Sequence, residues 1–249
     1  MNRKVFLILA ILTVSVSAMN NSDIVSYQKA IAHLPDGDRI ALWAGKFIGV
    51  PYDPDPIGEY VSKKAVVADG RVDCMYLTFR AAELALSRTP DDAIQMALDK
   101  RFHNRGIIND GLVVNYDDRF EYGEDMIDSG KWGREVTAGI GNVVSLKGSR
   151  GRDKVKMIPR LNLMERMNEK GKNKPPFRSG DIIFFITSPE KRVLDEIVGH
   201  IGIIKKEGSA IYLIHASGLK NKGGEVKKVL LYDYLKTMPF PGIRVTRFD

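Results

Sequence analysis

The sequence predicts an α+β fold, a helical N-terminal half followed by an antiparallel sheet. Apolar residues recur at helical spacing up to about residue 103, and strand-like apolar runs crowd the chain beyond residue 180. The two kinds of segment never alternate as β–α–β units, which argues against a parallel sheet. With 249 residues, 44% hydrophobic and 28% charged, the chain can bury a sizeable core and lacks the bias of a disordered or membrane-spanning protein.

Residues 1–18 read as a secretory signal: Arg3 and Lys4 form a positive start, residues 5–14 are apolar apart from Thr13, and Ser15, Val16, Ser17 and Ala18 offer small residues for cleavage. The apolar run is short for a bilayer span and no longer one follows. The expectation is an exported protein of the periplasm or cell envelope, with no integral membrane segment after cleavage and residues 19–249 as one domain. An uncleaved anchor is the alternative. Loss of Arg3 and Lys4 lowers the formal net charge from +7 to +5. Outside the cytoplasm, a basic chain favours polyanionic envelope material or acidic peptides over nucleic acid.

The first helix is expected at 22–34, where Ile24, Tyr27, Ala30, Ile31 and Leu34 share a face and Ser22 or Asp23 can cap. Asp38 caps a second helix at 39–47. Pro51, Pro54 and Pro56 exclude helix and central strand, leaving a stiff loop that holds Tyr52 in place. Asp73 opens a helix that runs to about Ser87, with Met75, Phe79, Ala82 and Leu86 on one face. Another helix covers 90–103. Residues 106–134, bearing Tyr116, Phe120, Tyr122 and Trp132, read as an elaborate loop within a cleft-forming insertion at about 104–160. Residues 147–154 read as a flexible, solvated basic segment. Strands are expected at 180–186, 197–205, 210–216, 226–231 and 243–247, with a short helical piece at 232–236.

Cys74 is the only cysteine. Exported cysteines usually pair, so a solitary one is either a small buried hydrophobe or a thiol kept for chemistry. In the first turn of its helix, unpaired N–H groups and the macrodipole favour a thiolate, while the negative charge of Asp73 opposes one. A partner base is therefore needed. His33 and His103 read as structural or exposed. His200 and His215 fall on adjacent strands, and a hairpin turning on Glu207 and Gly208 would pair residues whose numbers sum to 415, setting the two imidazoles opposite each other. Such a pair can act as a base and its orienter. No motif for a metal, a cofactor phosphate or a serine nucleophile is present, so neither metal nor cofactor is expected.

Five stretches in order carry a resemblance: 49–52 (Gly-Val-Pro-Tyr), Asp73-Cys74 opening a helix, 180–185 (Gly-Asp-Ile-Ile-Phe-Phe), 199–203 (Gly-His-Ile-Gly-Ile) and 214–216 (Ile-His-Ala). In these the chain resembles the NlpC-type cell-wall cysteine hydrolases, a circularly permuted branch of the papain-like fold. The resemblance implies a Cys-bearing helix packed on the sheet, with Cys74 as nucleophile, His200 as general base and His215 as the orienting residue. It also implies that Tyr52 borders the active site. The middle stretch 116–122 and the ending 242–245 are similar to the N-acetylmuramoyl-L-alanine amidase-like sub-branch. Asp73, Tyr76, Tyr116, Arg119 and Tyr122 are then expected to bind a peptidoglycan or muropeptide substrate. Met75 and Tyr76 stand where many relatives have Ser or Thr after the cysteine. A stem-peptide endopeptidase and a non-catalytic binding module stay open beside the amidase reading.

Overall fold

The computed structural model describes Val16 and residues 19–169, 175–219 and 222–249; the expected signal, apart from Val16, lies outside the described residues. The first half contributes α1 (Asn21–Ile31), α2 (Asp36–Lys46), α3 (Glu59–Ser62), α4 (Cys74–Leu86) and α5 (Pro90–Lys100). A small hairpin, β1 (Ile108–Asn109) and β2 (Leu112–Val113), leads to α6 (Gly123–Ser129), β3 (Arg134–Glu135), α7 (Thr137–Ile140), β4 (Val144–Lys147), β5 (Lys154–Pro159) and α8 (Arg160–Asn168). The chain closes with β6 (Ile182–Ile186), β7 (Val198–Glu207), β8 (Ala210–Leu219), β9 (Gly223–Leu230), α9 (Leu231–Thr237) and β10 (Gly242–Arg247).

This is an α+β fold with a large antiparallel sheet. Among the described residues eight strands join it, in the order β4-β5-β10-β6-β7-β8-β9, with β3 also paired to β10. The expected order of helices first and strands afterwards is therefore only partly right. β3, β4 and β5 arise inside the middle stretch read as an insertion; β3 and β4 are too short to carry much strand signal, whereas Lys154 to Met157 of β5 alternate polar and apolar as a half-buried strand does. The expected cap of α1 also moves: Asn20 accepts from the Asp23 N–H, and Asp23 returns a bond to the Asn20 N–H. α2 starts earlier than expected, directly after Pro35, so Asp36 and Asp38 both lie in its first turn, where the dipole favours them.

β6 reads Ile-Ile-Phe-Phe-Ile and is buried on both faces, because each face of the sheet has its own core. One core gathers Phe184, Ile201, Ile203 and Ile214 with Trp43 of α2, Phe47 at its C-cap, and Leu77 and Phe79 of α4. The other gathers Phe185, Ile204, Leu213 and Val245 with Leu163, Leu231 and Leu235 of α8 and α9. α4 departs from the one-sided helix expected of it: every residue from Tyr76 to Ala85 is buried. α2, α5 and the sheet enclose it, and its alanines let those neighbours approach closely.

Enclosure forces a charged pair into the interior. Glu83 on α4 takes both guanidinium bonds of Arg101, at 2.6 and 2.7 Å, with side-chain exposures of 0% and 4%. The Arg101 guanidinium also lies by the rings of Tyr76 and Phe79. Removing one member of such a pair strands the other charge without solvent. Glu83→Ala should cost about 3–5 kcal/mol in urea denaturation, whereas Glu83→Leu combined with Arg101→Met should cost much less.

Candidate active site

Asp73 is the N-cap of α4 and accepts from the Tyr76 N–H at 2.8 Å, which fixes where the helix starts. Cys74 is then the first helical residue, half-buried at the end of a helix whose body is sealed. Beside it opens a cleft of about 530 Å³. It is lined by Tyr52, Tyr60, Asp73, Cys74 and Met75 together with Arg119 to Gly123, Glu196 and Val198 to Ile201. His200 is thus brought into the same cleft as Cys74.

The two histidines meet, but not in the expected register. β7 and β8 pair residues summing to 417, with Glu207 opposite Ala210 and a two-residue turn at Gly208 and Ser209. The first turn position needs a positive φ, and Gly208 supplies it at 59°, whereas a turn one residue earlier would put Glu207 there. A slip that changes the sum by two keeps both side chains on one face of the sheet. The imidazoles therefore meet diagonally, ring centroids 5.1 Å apart, with His200 Nε2 and His215 Nδ1 sharing a hydrogen bond of 2.9 Å. That bond engages Nε2 and leaves Nδ1 as the second ring nitrogen of His200. The His200 ring stacks on Phe185 and Phe240, while Tyr234 of α9 lies edge-on against His215.

Burial sets the electrostatics. The pKa of His200 is lowered to about 3, first by loss of hydration and then by His215. That of His215 is lowered to about 4 by burial and by Lys227, its cross-strand partner on β9. Both rings are neutral near pH 7. Tyr52 and Tyr234 are pushed well above the usual phenol range, chiefly by burial and next by the charge of Cys74, so both remain protonated donors near the thiol. Glu196 is raised to about 7 by burial and by the neighbouring Glu124. Among the described residues, no group of three His, Cys, Asp or Glu side chains is placed to hold a metal.

The expected binding residues divide. Tyr52, Asp73, Arg119 and Tyr122 line the cleft. Tyr52 is seated by its N–H bond to the Gly224 carbonyl and packs so closely over Gly218 that a side chain there would overlap its ring. Arg119 donates to the Tyr116 carbonyl and pairs with Glu121. Tyr76 is fully buried instead: its hydroxyl donates to Asp69 and accepts from the Ala68 N–H, because two residues of helix turn it from Cys74 into the core. Tyr116 is also buried, edge-on to Phe102, with its hydroxyl on the Ala65 carbonyl. Neither reaches the cleft. Sequence reasoning missed Tyr60, Glu196 and Tyr234. Tyr234 lay in the expected helical piece at 232–236, but nothing local shows that this piece folds over His215.

The basic segment at 147–154 is largely exposed, as expected, but its two arginines are engaged rather than left to solvent. Arg152 bonds Asp125 and Asp128, and Arg150 pairs with Glu124 and Asp125 while lying 3.4 Å from the ring centre of Tyr122. The turn between β4 and β5 is thereby bound to the cleft wall.

No protein-family model and no curated protein matches the chain. Solved structures do. An N-acetylmuramoyl-L-alanine amidase from Bacteroides uniformis is similar with a TM-score of 0.63 and 21% identity, over 86% of this chain and 99% of that one. Protein LPG0564 from Legionella pneumophila, of the family model DUF1460, is similar with a TM-score of 0.68 and 16% identity, over 90% and 93%. A Bacteroides fragilis protein bearing a provisional xylanase name follows at 0.59 and 21%, over 84% and 99%. At these identities the likeness is one of fold.

The depressed histidines have a measurable sign. Their folded pKa values, about 3 and about 4, lie below the unfolded value of 6.5, so between these limits the unfolded state binds protons that the folded state does not. Stability should therefore fall as pH drops from about 6.5 towards about 4, and less so in His215→Gln. In NMR titration, the His200 and His215 rings should stay neutral down to about pH 5.

Proposed function

We propose that the protein is a cysteine amidase of the cell envelope, hydrolysing peptidoglycan or muropeptides at the amide between N-acetylmuramic acid and L-alanine. The observation that carries this reading is the shared cleft: Cys74 on the N-terminus of a buried helix, and His200 fixed by its bond to His215. Helix-borne thiol, imidazole base and orienting group are the papain-like arrangement. The chemistry comes from this geometry, and the bond from the amidase among the fold's neighbours.

In this reading His200 Nδ1 takes the thiol proton as Cys74 Sγ attacks the carbonyl carbon of the muramyl lactyl amide. The Nε2–H donates to His215 Nδ1, which keeps the ring oriented and the correct nitrogen free. The Cys74 backbone N–H at the helix start faces the developing oxyanion. The imidazolium returns its proton to the alanine nitrogen, the C–N bond breaks, and the lactyl group remains as a thioester. Water, deprotonated by His200, then releases the lactyl carboxylate and restores the thiol. Burial holds the resting His200 neutral, the form a general base must have before it takes a proton. Tyr52 and Tyr234 add protonated donors near the sulfur, and Arg119 and Tyr122 line the cleft for the substrate.

One feature favours the sugar–alanine bond over bonds within the stem peptide: Met75 follows the cysteine where a hydroxyl would help hold a free peptide amine. The test is mass analysis of purified muropeptides after incubation with reduced protein. Release of intact stem peptide from the sugar is the expected result. Cleavage within the peptide would make the protein an endopeptidase, and no product at all would leave a binding module. Cys74→Ala should abolish turnover, and His200→Ala should lower kcat by about 10²–10⁴-fold.

A further inference from the structure

The strand that carries His200 begins irregularly. Against β6, β7 pairs Phe185 with His200 and then slips, so that Ile186 faces Val198 and one residue, Gly199, is left over. On the other side, the ladder to β8 runs from Ile203 to Glu207. The start of β7 therefore keeps β6 on one side, through the bulge, and has no ladder partner in β8 on the other, yet His200 must be held there within a fraction of an ångström for proton transfer.

Glu124 supplies the missing partner. Its two carboxylate oxygens accept from the consecutive N–H groups of Ile197 and Val198, at 3.2 and 3.1 Å. In a regular strand, consecutive N–H groups point to opposite sides; here both turn towards one side chain. The approach is possible because the residue before it is Gly123, where a Cβ would come within 2.6 Å of Val198 and 3.2 Å of Ile201. Glu124 is fully buried, which for a carboxylate demands compensation. Arg150, from the turn between β4 and β5, provides it at 3.4 Å while covering the cleft residue Tyr122. Arg150 adopts a positive φ of 53° to do so, a conformation that costs a non-glycine residue energy.

We propose that Glu124, neutralised by Arg150, is a positioning residue that replaces the absent strand partner at the start of β7 and so sets the reach of His200 towards Cys74. The proposal rests on the amidase reading of Cys74 and His200, and its test separates the two. Glu124→Gln keeps the volume but turns one N–H acceptor into a donor. With the variant folded by circular dichroism, kcat on the muropeptide should fall by about 100-fold with KM nearly unchanged, as expected for misplacement of a reacting group. The pH profile of Cys74 alkylation by iodoacetamide should shift to that of His200→Ala, and Glu124→Gln should add no further loss to His200→Ala. Arg150→Ala, which leaves both N–H bonds available, should give a smaller loss of the same kind and serves as the reporter should Glu124→Gln fail to fold. A folded Glu124→Gln or Arg150→Ala with wild-type kcat and alkylation profile, beside an impaired His200→Ala, would overturn the positioning role alone. A fully active His200→Ala would instead overturn the amidase reading itself.

Discussion

The burial of α4 along its whole body is the constraint on which the site depends. A helix enclosed by α2, α5 and the sheet can present chemistry only at an end, and the two ends are not equivalent. Its C-terminal side is tied into the core, where the buried Gln28 donates to the Leu84 carbonyl and to Ser87. Its N-terminus opens on a cleft, where the positive end of the helix dipole favours a negative sulfur. Asp73 fixes that terminus by capping it, so the position of Cys74 follows from the position of the helix. The cost is the enclosed Glu83–Arg101 pair, which spans from α4 to the residue capping α5.

The second half of the site is made where the sheet becomes irregular. β6 is apolar on both faces and its ladder to β10 is continuous; at the start of β7 the pairing slips past a bulge. His200 and His215 are held there by each other and by Phe185, Phe240 and Tyr234, and a carboxylate brought in from α6 binds the backbone of Ile197 and Val198 just before His200. Fixing a residue by packed rings and charged side chains leaves its ring nitrogen free of backbone partners. It also dehydrates the imidazoles, which is why they stay neutral where a solvated histidine would begin to protonate.

Charge is distributed less freely than composition implies. The formal +7 suggests a basic surface ready for polyanions, yet Arg150 and Arg152 are engaged by Glu124, Asp125 and Asp128. At this edge of the cleft, basic residues stabilise the wall rather than face a partner. Pairing of this kind needs the turn between β4 and β5 to approach α6, a contact between segments more than twenty residues apart that local reading of a Gly- and Arg-rich stretch does not contain.

Local signals alone determined the helices at 22–34, 39–47, 73–87 and 90–103 to within a few residues, the five late strands, and the placing of Cys74 in the first turn of a helix. Those features rest on periodicity, proline geometry and capping, which act over a few neighbours. The face shared by His200 and His215 was legible too, because strand alternation survives a register slip of two. Their register was not, since it depended on which residue could adopt a positive φ in the turn. Tertiary structure alone decided that Tyr76 and Tyr116 turn inward while Tyr60 and Glu196 join the cleft and Tyr234 packs on His215, and that short strands at 134–159 extend the sheet. The physical reason is common to these cases: side-chain burial and the partners of a charge are set by elements distant in sequence, and no window along the chain holds both sides of such a contact.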